Sequence, residues 1–245
     1  MDSKWIIETN GLGKVFDEVE VIKDCSMHVK QGTIYGFLGM NGAGKTTVFK
    51  MLTSLLTPTS GTAKVMGIDI TSRSNEVLRN IGSIIETPIF HEHLSAAENL
   101  RVHLAYMNKE NVDIDKTLEM VGLSSMNTKP VSTFSLGMRQ RLGIARAIIH
   151  QPKLLILDEP LNGLDPMGIR EMRDLFLSLV KNKGMTILIS SHILTDIEQI
   201  ADTIGIIANG RIIDEVSMAQ IKSKTSNDSL EEYFFQKMKE ELEYA

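Results

Sequence analysis

Three short stretches carry residues whose types and spacing suit phosphate chemistry. GMNGAGKTT, residues 39–47, fits the pattern G-x-x-x-x-G-K-[ST]. In such a loop Gly39, Gly42 and Gly44, with Asn41 between them, let backbone N–H groups close around phosphates. Lys45 reaches the β- and γ-phosphates of a nucleoside triphosphate, and the Thr46 hydroxyl, with Thr47 beside it, ligates Mg²⁺. LLILDEP, residues 154–160, ends an apolar run in two carboxylates. A charge at a buried strand end is costly unless it is paired or binds metal. Asp158 is therefore the candidate to hold Mg²⁺, directly or through water, and Glu159 the candidate to orient or deprotonate an attacking water. SSH, residues 190–192, closes another apolar run, and its His192 can donate a hydrogen bond to a γ-phosphate. Taken alone, a histidine is more often structural and a pair of carboxylates is often only solvated; the loop upstream tips both toward chemistry.

A fourth stretch poses a question. FSLGMRQR, residues 134–141, reads as a helix start: Ser135 is a good N-cap, Gly137 leaves the first turn bare, and two arginines follow. Such an N-terminus offers free N–H groups and a positive dipole end to an anion, far from the glycine loop that already serves that purpose.

These residues need elements to hold them. GTIYGFLG (32–39) reads as a short buried strand entering the loop, and TTVFKMLTSLL (46–56) as the helix leaving it, punctuated by Pro58 and Gly61. LLILDE (154–159) and MTILISS (185–191) are continuous apolar runs, the pattern of strands buried on both faces of a parallel sheet. Between them GIREMRDLFLSLVKNKG (168–184) puts Ile169, Met172, Leu175, Phe176, Leu179 and Val180 on one helical face, with Gly184 as its stop. Strand, helix and strand in that order imply a doubly wound parallel core. Residues 5–35 and 60–70 read instead as short strands and turns of an antiparallel sheet, and 95–150 as mostly helix, opened by a capping box of Ser95 and Glu98. IGIIANGRIIDEV (204–216) is a hairpin signal through Asn209-Gly210. The tail carries a second capping box, Ser229 and Glu232, and an apolar face of Leu230, Tyr233, Phe234 and Met238.

Bulk properties exclude several classes. The 245 residues, 42% hydrophobic, suit one large α/β domain or two small ones, and a net charge of −5 gives no basic field for nucleic acid. A lone cysteine, Cys25, reads as a small buried hydrophobe in a reducing compartment. No apolar run approaches the roughly 20 residues of a membrane helix, so the chain reads as soluble, with any membrane role coming through a partner. FHEHL (90–94) has a His-x-His spacing but no further ligand nearby and reads as a solvated loop.

The ordered set of residues 39–47, FSLGM, LLILDEP, NGLDP and SSH resembles the ATP-binding subunit of an ABC transporter, over essentially the whole chain. The resemblance implies a P-loop ATPase core with a parallel sheet, an antiparallel β-subdomain and a helical subdomain. It assigns about 1–86 and 151–220 to the core and β-subdomain, about 87–150 to the helical subdomain, and about 228–245 to a terminal helix. It implies ATP and Mg²⁺ as cofactors, an ATP-dependent homodimer, transmembrane permease subunits as partners, no nucleic acid, and a place on the cytoplasmic face of the membrane. It also answers the question of the fourth stretch: in this family the signature segment covers the γ-phosphate held by the other chain, so Ser135 and Gly137 act in trans. Phe16 matches the aromatic that stacks on adenine; without the resemblance it reads as core. Asp165 of NGLDP joins the nucleotide-binding set. Two departures stand out. Leu136 and Met138 replace a Gly and the Gln of the commonest signature. In IGSIIETPIF (81–90) the family's glutamine, which contacts Mg²⁺ and the attacking water, is Glu86. That carboxylate joins the catalytic and metal candidates and, with the texture of SLGMRQRLGIA and GLDPMGIREM, resembles the bacitracin and lantibiotic export branch. The cargo expected is a lantibiotic-type peptide expelled for self-protection, with bacitracin-type resistance as the alternative. A translation or DNA-repair ABC protein ordinarily carries two cassettes or long insertions, and a small-molecule P-loop kinase has no place for FSLGM or NGLDP.

Overall fold

The computed structural model describes residues 4–126, 128–224 and 229–244. In chain order the elements begin with β1 (Trp5–Phe16), β2 (Val19–Cys25), β3 (His28–Lys30), β4 (Ile34–Leu38), α1 (Lys45–Leu52), β5 (Ser60–Val65) and β6 (Ile68–Asp69). Next come α2 (Ser74–Leu78), β7 (Ile81–Ile84), α3 (Ala96–Tyr106), α4 (Ile114–Met120), α5 (Leu136–Ile148) and β8 (Leu154–Leu157). The last are α6 (Pro166–Lys183), β9 (Thr186–Ser190), α7 (Leu194–Glu198), β10 (Thr203–Ala208), β11 (Arg211–Ser217), α8 (Met218–Lys224) and α9 (Leu230–Tyr244).

The continuous apolar runs become the centre of one curled sheet, ordered β6-β5-β1-β2-β11-β10-β4-β9-β8-β7, with β3 paired to β1. Strands β4, β8 and β9 are buried at every residue, because helices cover both faces. From β10 to β7 the strands run parallel, while β1, β2, β3, β5 and β6 pair antiparallel. The Asn209-Gly210 turn forms as expected, with φ of 49° and 77° between β10 and β11. The register decides where side chains emerge: Ile84 lies beside Leu157, and Leu157 beside Ile189. Residues just past those three, on β7, β8 and β9, therefore leave the sheet at one level and at the same edge.

Helices α3, α4 and α5 fill the chain between β7 and β8. Ser95 and Glu98 form their capping box at α3, and Ser135 caps α5 by accepting from Met138 N. Two histidines, His150 buried and His103 half-buried, join this helical segment to the sheet. The His150 ring approaches the Ile81 carbonyl at 3.0 Å through Nε2, and its Nδ1 lies 3.1 Å from His103 Nε2. With Nε2–H donating to Ile81, Nδ1 is the acceptor, so both rings fit as neutral imidazoles. Burial pushes His103 down to about 4, with help from the neighbouring His150 and Arg146, and lowers His150 as well.

The helix expected over 46–56 ends early, at Leu52. Thr53 Oγ1 donates to the Phe49 carbonyl, Ser54 takes φ 57°, and Leu55 and Leu56 both donate back to the Lys50 carbonyl, which closes the helix end. At the far end Leu230 and Phe234 bury one face of α9, and Ser229 and Glu232 make their capping hydrogen bonds. Cys25 is fully buried. Among the described residues no helix is long and apolar enough to cross a membrane.

Candidate functional site

The glycine loop joins β4 to α1 at the carboxyl edge of the sheet, where a parallel α/β sheet places ligands. Gly44 precedes the helix with φ 107°, a backbone state open to glycine, and Lys45 is the first helical residue. Lys45 is buried and folds onto its own loop, donating to Gly39 O at 2.7 Å and Met40 O at 3.3 Å. Desolvation lowers its pKa, while the nearby Glu159 and Asp158 charges oppose that shift. Asn41 and Gly42 stand exposed at the tip, and Thr47 is half-buried on α1.

The shared register brings the carboxylates to Thr46. The Thr46 hydroxyl donates to Asp158 Oδ2 at 2.6 Å, and the Ser190 hydroxyl donates to Asp158 Oδ1 at 2.6 Å. Ser190 Oγ in turn accepts from Glu159 N at 2.9 Å. A hydroxyl and a carboxylate this close are the hard oxygen donors that Mg²⁺ takes, so the residues present fit that ion. Glu159 has φ 48°, uncommon for a residue with a side chain, and this turns its carboxylate away from the strand. Its Oε2 accepts from Asn162 Nδ2 at 2.5 Å and meets His192 Nδ1 at 3.0 Å. A carboxylate held between an amide and an imidazole is oriented for work on a water molecule.

Glu86 also reaches this edge, two residues past Ile84, but its partner is Lys50 of α1, at 2.5 Å. No direct bond joins it to Thr46 or Asp158. It lines, with Thr46, Asp158, Glu159, Leu136 and Gln140, a cavity of about 320 Å³. A larger cleft of about 700 Å³, between Lys109 and Lys183, contains none of the phosphate-loop, carboxylate or signature residues.

The other expected residues lie around rather than in this cluster. Ser135 is exposed, and Gly137 backs onto the 163–164 loop, where an added Cβ would meet the Gly163 carbonyl at 3.1 Å. Leu136 leans on Gly163, so a side chain at that residue would clash with it at 2.7 Å. Asp165 caps α6, accepting from Gly168 N at 2.9 Å. Phe16, which by itself reads as core, is instead exposed at the end of β1, with Lys14 Nζ 5.0 Å from its ring centre. Sequence reading passed over Ser190, Asn162, Lys50 and Gln140. Ser190 was detectable as a polar end to a wholly apolar strand, and Lys50 as the residue one helical turn past Thr46.

A glycine loop, an Asp–Thr pair and an oriented glutamate on the edge of a parallel sheet define a P-loop ATPase. The family model for ABC transporters matches residues 22–162, and the chain belongs to that family, as an ATP-binding, ATP-hydrolysing domain. It is 50% identical over 221 residues to the bacitracin transport ATP-binding protein BcrA of Bacillus licheniformis, covering 89% of this chain and 72% of that protein. It is 43% identical over 229 residues to the lantibiotic transport ATP-binding protein SrtF of Streptococcus pyogenes, covering 94% and 96%. A solved ATP-binding subunit of an ABC transporter superposes with a TM-score of 0.87 at 28% identity, covering 95% of this chain and 99% of the other. ATP-binding subunits of this family dimerise and pair with transmembrane permease subunits.

Proposed function

We propose that this chain is the ATP-driven subunit of an exporter that removes a peptide antibiotic from the membrane, working from the cytoplasmic face through its permease. The loop 39–47 and Lys45 hold the triphosphate, Phe16 stacks on the adenine, and Thr46 and Asp158 would hold Mg²⁺, with Glu86 bordering that site. Bound there, the metal would neutralise charge on the β- and γ-phosphates. Glu159 takes a proton from the water that attacks the γ-phosphorus, leaving ADP, and His192 both orients Glu159 and faces the departing phosphate. Ser135 and Gly137 close over the nucleotide of a second copy of the chain, and Asp165 sets the loop they rest on.

The cargo reading rests on one observation: about nine-tenths of the chain matches transport proteins whose named cargoes, bacitracin and lantibiotics, are both peptide antibiotics. The lantibiotic reading rests on the resemblance that Glu86 carries; the higher identity to the bacitracin protein, 50% against 43%, favours the second reading. The test is to express the chain with its neighbouring permease genes in a sensitive host and titrate a lantibiotic and bacitracin side by side. At least a fourfold gain in tolerated lantibiotic, abolished by Lys45→Ala, is expected. A gain for bacitracin alone selects the alternative, and no gain for either overturns the peptide reading. In the same assay Glu86→Gln is expected to reduce resistance by a larger factor than it reduces hydrolysis.

A further inference from the structure

Asp196 on α7 is 7% exposed, and its Oδ2 is buried with no hydrogen-bond partner among the described residues. Its Oδ1 has one partner, Arg173 Nη1 of α6, at 3.1 Å. A charge taken out of water and held by a single bond leaves much of its desolvation unmet. A buried ion pair of this kind adds little to stability and can often be replaced by apolar side chains without loss. Stability is therefore a poor account of why these two residues meet, and their place in the fold offers a better one.

Both helices start at the hydrolytic site. α6 follows the loop of Asn162 and is capped by Asp165, and α7 starts two residues after His192. Asn162 and His192 are the side chains that meet Glu159 Oε2, at 2.5 and 3.0 Å, one from each loop. Both are exposed, so burial does not hold them in place. α7 is itself only five residues long, and Ile193 at its start gives it no side-chain cap. Its course is set by buried Ile197 and by two polar ties: Glu198 accepts from Leu230 N at 3.3 Å, and Asp196 accepts from Arg173. Among the described residues the Arg173–Asp196 pair is the sole hydrogen bond or ion pair that joins α6 to α7.

We propose that Arg173 and Asp196 are positioning residues for ATP hydrolysis: by tying α6 to α7 behind the site, they fix the gap across which Asn162 and His192 hold Glu159. The path closes on itself. It runs from Glu159 to His192, along the chain to Asp196, across to Arg173, and back down α6 to the loop of Asn162. Neither member of the pair touches the reacting atoms. Loosening it lets α7 and the His192 loop shift, which changes the aim of Glu159 Oε2 rather than the grip on the triphosphate. A guanidinium–carboxylate contact suits this use because it is directional, whereas apolar packing is not. The inference rests on the base role given to Glu159 above, and it stands whichever peptide is exported.

The test uses the purified full chain. The near-isosteric Asp196→Asn is expected to lower kcat about tenfold while KM for ATP moves less than about twofold. In the same variant amide exchange is expected to quicken several-fold over 161–165 and 191–195 and to stay unchanged over β4. Arg173→Met strands the Asp196 charge and is expected to lower Tm by several degrees. Adding Asp196→Leu removes that charge and is expected to restore Tm while kcat stays about tenfold down. Glu159→Gln is measured alongside: wild-type turnover there would sink the base role itself, whereas lost turnover there with wild-type kcat in Asp196→Asn overturns the tie alone. Exchange that is unchanged in both loops or quickened equally over β4, or kcat restored together with Tm in the double variant, would leave the pair a part in stability only and overturn the proposal.

Discussion

At Glu159 the backbone and three neighbours together fix one carboxylate. Its positive φ aims it, Ser190 anchors its N–H, and Asn162 and His192 hold Oε2. Replacing it by Gln keeps the shape and removes the base. Glu159→Gln is therefore expected to bind ATP normally and to lose about 10²–10⁴ in turnover, the usual range for a general base. Steady-state ATPase together with equilibrium nucleotide binding checks this, and wild-type turnover in the variant would remove Glu159 from the mechanism. Lys45, Thr46, Asp158 and Glu159 were legible in the sequence because each sits in a short pattern with its own chemical reason. Ser190, Asn162 and Lys50 were not, because their significance is a contact with a residue on another segment. Phe16 shows the opposite effect. An aromatic in a strand pattern reads as buried, and only the tertiary course of β1 leaves it exposed.

At the scale of elements the joint between the helical segment and the sheet is the weak point with respect to acid. Half-buried His103 on α3 and buried His150 past α5 stand as neutral rings bridged to the β7 carbonyl of Ile81. Charging His150 puts a proton on its accepting Nδ1 and breaks the donor–acceptor order of the chain, while charging His103 sets a cation beside that ring and Arg146. Both folded-state pKa values lie below the unfolded value of about 6.5, that of His103 at about 4. The unfolded chain therefore takes up protons first. The contribution to stability is complete above about pH 6.5 and is lost as pH falls through the window down to about 4. His103→Leu removes one of the two titrating rings, so its Tm is expected to fall less steeply than that of wild type across this window, by a few degrees. Parallel slopes in thermal unfolding scans would show that the pair does not bear on acid stability. Sequence pattern found most of these elements, because apolar runs and capping boxes are local signals. It overran the end of α1, where the Thr53 hydroxyl and the backbone of 54–56 turn the chain before the apolar pattern stops. The histidine bridge was hidden for a related reason: one member lies on α3 and the other just past α5, and nothing local marks them as neighbours.

For the whole molecule the site is half of something. The phosphate loop ends in exposed Met40 and Asn41, and Leu136 at the start of α5 and Met167 at the start of α6 are large apolar side chains left in solvent. Apolar side chains around a charged cavity suit a surface that a partner covers. Ser135 caps α5 by accepting from Met138 N, and a helix N-terminus of this kind leaves further N–H groups for an anion to meet. A single sequence carries no record of which chain completes which site, so this arrangement came only from the family resemblance. It can be tested directly. Asn41→Cys and Ser135→Cys, both at exposed positions, place one thiol on the loop and one at the signature. The native Cys25 will not interfere, because it is fully buried and burial pushes its thiol up to about 12. With ATP bound and Glu159→Gln present to slow hydrolysis, a short bifunctional crosslinker is expected to give a covalent dimer, and with ADP only a small fraction of it. Denaturing electrophoresis separates the outcomes by mass. Crosslinks confined to single chains would place Ser135 beside its own loop and overturn the trans arrangement.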